Sequence, residues 1–304
     1  MAFVAIADRD HEQHLHDPQT FITKYVWSQD HKVIAIQYGS VAIGVGLIAL
    51  ILSVMMRLQL AFPDTFSFIT PNGYYQFVTM HGMIMVIYLL TALFLGGFGN
   101  YLIPLMCGAR DMVFPYMNML SFWAYLLSVI ILLASFFVPG GPTGAGWTLY
   151  PPQTILPGTP GHELGIFLML LSLAVFIVAF TMGGLNYVTT VLQARCRGMT
   201  LMRMPLSVWG IFTATILGLL AFPALLVAAI MMLFDLLLGT SFFMPARTIC
   251  GFEKVNSSLY FSLSSSKPIP SMFSHFFSSG IVIVGVLISS AMVKSKVTCL
   301  PANG

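Results

Sequence analysis

His81 sits in the string FVTMHGMIM, which is otherwise apolar. An ionisable side chain in such a run is costly unless it faces a partner or a cofactor. Its imidazole could ligate heme iron through one nitrogen, or could hydrogen-bond to a neighbouring helix. Further along, Asn100, Asp111 and Asn118 place a carboxylate between two amides. A lone loop aspartate is usually solvated; a proton site is the functional reading. Other candidates carry less. His11, His14 and His16 in HEQHLHD could bind a transition metal, but His-rich chain ends often have no such role. His162 with Glu163 reads as a helix start, and Cys250 with His275 has no metal-site spacing. Cys107, Cys196, Cys250 and Cys299 lack any CxxC, so neither a zinc site nor a disulfide framework is indicated.

The elements that must position these residues are set by composition. Hydrophobic residues make up 58% of the 304 positions and DEKR only 8%, against about 25% charged residues in a soluble domain. The mean hydropathy is +0.89. Apolar runs long enough to cross about 30 Å of hydrocarbon fall at roughly 33–56, 76–98, 118–138, 164–184 and 206–238. This predicts an all-α bundle of five membrane helices. Pro223 lies inside the last run, where a single long, tilted and kinked helix is expected. The first run is too long for the apolar region of a secretory signal. The 13 Lys and Arg are spread along the chain, which argues against nucleic acid as a partner.

Orientation follows from the cations. Arg9, Lys24, Lys32, Arg110, Arg195, Arg197 and Arg203 share one side, and the opposite loops hold only Arg57, with none between Pro139 and Glu163. The positive-inside rule puts the N-terminal segment, 1–32, on the cytoplasmic or mitochondrial-matrix side. The outer loop GGPTGAGWTLYPPQTILPGTPGHE is rich in turn-forming Gly and Pro and holds Trp147 and Tyr150, types that prefer the interface. After Ala246 the texture changes: 257–279 is Ser-rich, and Gly280 to Val293 is too short for a confident span.

The string GGFGNYLIPLMCGARDMVFPYMNMLSFW is similar to the loop between the second and third helices of subunit I of heme-copper terminal oxidases. DHK (Asp30 to Lys32), Arg57, FVTMH, GAGWTLYPP, LNYVTT, PLSVW and TSFFMPA match that family in order and spacing. The resemblance covers Lys24 to Ala246, so 33–246 reads as an oxidase-like membrane domain and 247–304 as an unmatched tail.

The resemblance implies residue roles. His81 matches an axial ligand of the low-spin heme, which the resemblance implies is heme a. Arg57 and Ser53 match residues near that heme's formyl group, where a guanidinium would favour added electron density; snorkelling to the interface is the alternative for Arg57. Tyr74 and Trp147 match positions near the hemes, or serve as interfacial anchors. Asp111, Asn100 and Asn118 match the entrance of a proton-uptake path, a surface carboxylate with amides that order water beyond it. Two departures stand out: Tyr116 replaces the family's usual arginine after FP, and VAFTMGGLN leaves Thr181 as the nearest hydroxyl where serines are common.

By the same resemblance, dioxygen reduction needs copper on three histidines and a second heme. The string His-Pro-Glu-Val-Tyr and the adjacent histidine pair that follows it are absent here. The expectation is therefore a shortened chain, inactive alone, with a tail that reads like a frameshift, a mis-splice or the new end of a short paralogue. The implied work is electron transfer from cytochrome c or quinol to dioxygen with proton pumping, alongside subunits II and III, in a bacterial plasma or mitochondrial inner membrane. A noncatalytic heme-binding or assembly protein is the alternative. A transporter is disfavoured, since no internal repeat is found.

Overall fold

A computed structural model describes residues 21–63, 66, 69–162 and 164–243. All of these fall in the unit Met1–Pro245. His11, His14, His16, Glu163, Cys250, His275 and the whole of 247–304 lie outside the described residues.

Among the described residues, five helices are long and apolar enough to cross a membrane: α1, His31–Ala61; α2, Pro71–Cys107; α3, Pro115–Phe137; α4, Leu164–Gln193; and α5, Leu206–Leu238. Among the described residues there is no strand. Local chemistry starts these helices before their apolar runs begin. Asp30 caps α1 by accepting from the Lys32 amide at 2.9 Å, and Thr70 caps α2 by accepting from Gly73 N at 3.1 Å, with Pro71 in the first turn. An N-terminal cap satisfies a donor that the helix itself leaves open.

The helices also outrun the expected limits. α2 continues past residue 98 through Asn100–Cys107, and α4 past residue 184 to Gln193. The backbone keeps its internal hydrogen bonds beyond the hydrocarbon, where polar side chains end the apolar run but not the helix. α2 is not uniform: Ile84–Gly99 is wound as a π-helix between two α-helical ends. It stops at Gly108, whose φ of +72° suits a residue without a Cβ. α5 is one continuous helix of 33 residues with Pro223 inside it, as expected. At 1.5 Å per residue it runs about 50 Å, well over the bilayer's roughly 30 Å.

Packing joins α1 to α2, α3 to α4 and α4 to α5. Aromatic rings knit the centre: Tyr38 stacks on Tyr125 at 5.2 Å, and Tyr88, Phe176 and Phe180 follow at 5.0 and 4.8 Å. Hydroxyls in this layer close a circuit. Tyr125 donates to Tyr88 O (2.9 Å), Tyr88 meets Ser172 (2.5 Å), and Ser172 donates to Ser128 O (2.5 Å), while Ser128 donates to Tyr125 O (2.6 Å). Without water at this depth, such groups must find partners inside the bundle. The outward faces are apolar, as at Ile43, Leu47, Leu50 and Val54 of α1.

Candidate functional site

His81 lies on α2, half-buried, with its Nδ1 2.9 Å from the carbonyl oxygen of Ala49 on α1. A carbonyl only accepts, so Nδ1 carries the proton and Nε2 keeps its lone pair. Close approach of the helices makes this bond possible: Ala42 and Ala49 are fully buried between them, and a Cβ on Gly46 would stand 3.1 Å from Leu89. Ser53 and Arg57 follow Ala49 at intervals of four, so the three share one stripe of α1. Ser53 is half-buried and Arg57 exposed. Tyr74 precedes His81 by two turns on the same face of α2 and is half-buried.

Trp147 reaches α2 from the outer loop. A Cβ on Gly82 would sit 2.9 Å from its indole Cδ1, and the adjoining Gly146 amide donates to Thr79 Oγ1 at 2.9 Å. The indole thus rests on the Thr79–Gly82 side of the helix, next to the face that bears His81, and stays 42% exposed.

The second group gathers at the other end of α2, roughly 25 Å away along the helix. Asp111 is less open than the surface carboxylate that the resemblance implies: its side chain is only 7% exposed, with the His31 ring over it, Nδ1 to Oδ1, at 3.1 Å. Met112 N also donates to Oδ1, at 2.7 Å. Asn100 donates through Nδ2 to Gly96 O at 2.6 Å and to the Tyr187 hydroxyl at 2.8 Å. Its Oδ1, both polar atoms of Asn118 and Nε2 of His31 are buried without a protein partner. Tyr116 is 68% exposed, and Thr181 spends its hydroxyl on Ile177 O of its own helix at 2.8 Å.

Sequence reasoning missed the residues that hold this end together. Asn186 accepts from Phe114 N at 3.0 Å and donates to Phe114 O at 3.1 Å, clamping the Asp111 loop from both sides. Thr190, one turn on, accepts from Val113 N at 3.2 Å. Beside Asn118, Ser121 donates to Asn118 O at 2.7 Å and so accepts from the Tyr38 hydroxyl at 3.0 Å. The available signal was polar spacing: Asn186 and Thr190 stand four apart in an apolar helix, inside the LNYVTT motif. The structure brings His31, Asp111, Asn100 and Asn118 to one end and keeps His81, Ser53, Arg57, Tyr74 and Trp147 in the other group.

Comparison with known proteins gives the family. The family described as cytochrome c and quinol oxidase polypeptide I matches residues 33–294, further toward the C-terminus than the quoted motifs reach. The chain is 74% identical over 237 residues to an alternative cytochrome c oxidase subunit 1 of Bradyrhizobium diazoefficiens, covering 78% of this chain and 40% of that protein. It is 41% identical over 224 residues to a heme-copper oxidase subunit I+III of Aeropyrum pernix, covering 74% and 27%. It is 36% identical over 271 residues to a cytochrome c oxidase subunit 1 of Cereibacter sphaeroides, covering 79% and 47%. The chain thus spans less than half the length of these relatives. With five apolar helices and this match, the chain is an integral membrane protein belonging to the cytochrome c and quinol oxidase polypeptide I family, subunit I of the heme-copper oxidases.

Proposed function

We propose that the chain works within subunit I of a terminal oxidase, with His81 as an axial ligand of a low-spin heme and the Asp111 end as the point of proton uptake. The observation that carries the first half is the His81–Ala49 bond, which orients the ring and leaves Nε2 free to ligate. The surroundings fit such a group: Ser53 and Arg57 share the Ala49 stripe, with a hydroxyl and a guanidinium on the face from which His81 is held. A heme bound there, heme a by the family resemblance, supplies an iron that takes up and passes on single electrons. The Arg57 guanidinium, on that stripe, favours added electron density nearby and so raises the reduction potential. Tyr74 and Trp147 wall the outer side and limit access of water.

At the other end Asp111 holds a proton-exchanging carboxylate under His31, and the open atoms of Asn100 and Asn118 supply donors and acceptors for ordered water. Buried polar atoms without protein partners are where internal water is retained. Thr181 takes no part in this reading; Tyr38 and Ser121 provide the hydroxyls next to Asn118.

The whole reaction proposed for the assembled complex is electron transfer from cytochrome c or quinol to dioxygen, with heme and copper as family cofactors and proton pumping. Subunits II and III are the proposed partners; the Aeropyrum pernix relative, by its name, joins I and III in one chain. The cation distribution favours a cytoplasmic or matrix N-terminal side. Membranes containing the wild-type chain should show a low-spin heme band that His81→Ala abolishes and His31→Ala retains. An unchanged spectrum in His81→Ala sinks the assignment.

A further inference from the structure

Cys107, the last residue of α2, and Cys196, just past α4, meet at the Asp111 end. The Cys196 amide donates to the Cys107 carbonyl at 2.9 Å. Where two such bonds join paired strands the Cα atoms stand about 5.5 Å apart; a single one brings the two backbones into the range of roughly 4.4–6.8 Å that a disulfide spans. The Cys196 side chain lies against the neighbouring residue: a Cβ on Gly108 would be 3.1 Å from Cys196 Cβ and 3.4 Å from its Sγ. Both cysteines are free thiols, Cys107 buried and Cys196 exposed. Arg195 precedes Cys196 and has Nε and Nη1 buried without a partner.

We propose that Cys107 and Cys196 form a reversible disulfide that pins the Asp111 loop to the segment following α4. The sequence hid the pair, because only the fold brings the two residues together. The oxidant is a small disulfide of the glutathione type. The exposed Cys196 thiolate attacks it, one small thiol leaves with the electron pair of the broken S–S bond, and a mixed disulfide remains. The Cys107 thiolate then displaces the second small thiol. Two protein thiols lose two electrons and two protons, and one small disulfide becomes two thiols.

Cys107 packs with Ile103, Met112, Val191 and Met204, so its sulfur must turn out of that cluster to reach Cys196. The lost packing favours the reduced state and makes the link readily reversible. Because the loop bearing Asp111 begins at Cys107 and Met112 belongs to the same cluster, oxidation acts on the carboxylate's setting. The inference does not depend on heme at His81.

The test uses membranes carrying the full chain, treated with glutathione disulfide, then alkylated and digested. Mass spectrometry should find a peptide joining Cys107 to Cys196, lighter by two hydrogens, lost on dithiothreitol treatment and absent in Cys196→Ser, a variant at an exposed position. Glutathione carried on Cys196 alone, or a link from Cys196 to Cys250 or Cys299, overturns the pairing. Hydrogen exchange across 108–114 should slow about threefold on oxidation; unchanged exchange overturns the pinning.

Discussion

At the Asp111 end, side chains from α1, α2 and α4 converge: His31 covers the carboxylate, Tyr187 takes the Asn100 amide, and Asn186 grips Phe114 from both sides. At the His81 end one bond to one backbone carbonyl does the holding, and Trp147 rests on α2 half in the open. The first region is organised by this chain's own polar groups, with a few buried atoms left for water. The second presents a single ring nitrogen oriented by its bond to Ala49 O, which suits the heme ligation proposed for it. The contrast separates two kinds of preorganisation: a hydrogen-bonded loop that keeps a carboxylate in place, and a half-buried helix face whose one fixed feature is a tautomer.

The sharpest way to break this comparison is to exchange the losses. Asp111→Asn should remove most proton uptake in the assembled complex while leaving the heme band intact, and His81→Ala should do the reverse to the spectrum. Loss of the heme band in Asp111→Asn means the two ends are not independent. Next in size is Asn186→Leu, which strands the Phe114 N–H and C=O. At up to about 1–3 kcal/mol for each of these two part-buried groups left unpaired, the Asp111 loop should be destabilised by about 2–6 kcal/mol. Hydrogen exchange of 111–114 measures it, and native-like protection would show that Thr190 and His31 hold the loop without the clamp.

Two glycines compare the ends directly. A Cβ at Gly96 would lie 2.6 Å from the ring of Tyr38, which is 3% exposed. Gly96→Ala should therefore cost about 1–3 kcal/mol by overpacking and lower the thermal midpoint in detergent. The same change at Gly82 meets Trp147, 42% exposed and free to swing outward. Its cost should stay below about 1 kcal/mol; an equal loss at both positions removes the distinction between a locked and a yielding end. The smallest effect is expected midway, where Ser172→Ala opens the hydroxyl circuit at about 0.6 kcal/mol, a shift to be read in the same thermal assay.

Much of the fold was legible because hydropathy is a local property. Five apolar runs yield five helices, and the long α5 survives Pro223 as one element. Their ends were not legible to the same degree. The residue-98 and residue-184 limits fall short because polar side chains such as Asn100 and Asn186 stop an apolar count without stopping the helix. Of the candidate site, His81 stood out as an imidazole in an apolar run. Asp111 is legible as a candidate carboxylate, but its cover is not, because it comes from His31, 80 positions earlier.

By itself, then, the sequence determined the solvent, the number of helices, the family motifs and the identity of the chemically apt residues, since composition and spacing are written along one dimension. Only the tertiary structure decided which of them meet. The tautomer of His81 depends on a carbonyl of another helix, the burial of Asp111 on a ring from the start of α1, and the Phe114 clamp on an amide 72 positions away. These are contacts set by how close helices approach, and that distance depends on the sizes of side chains on facing surfaces.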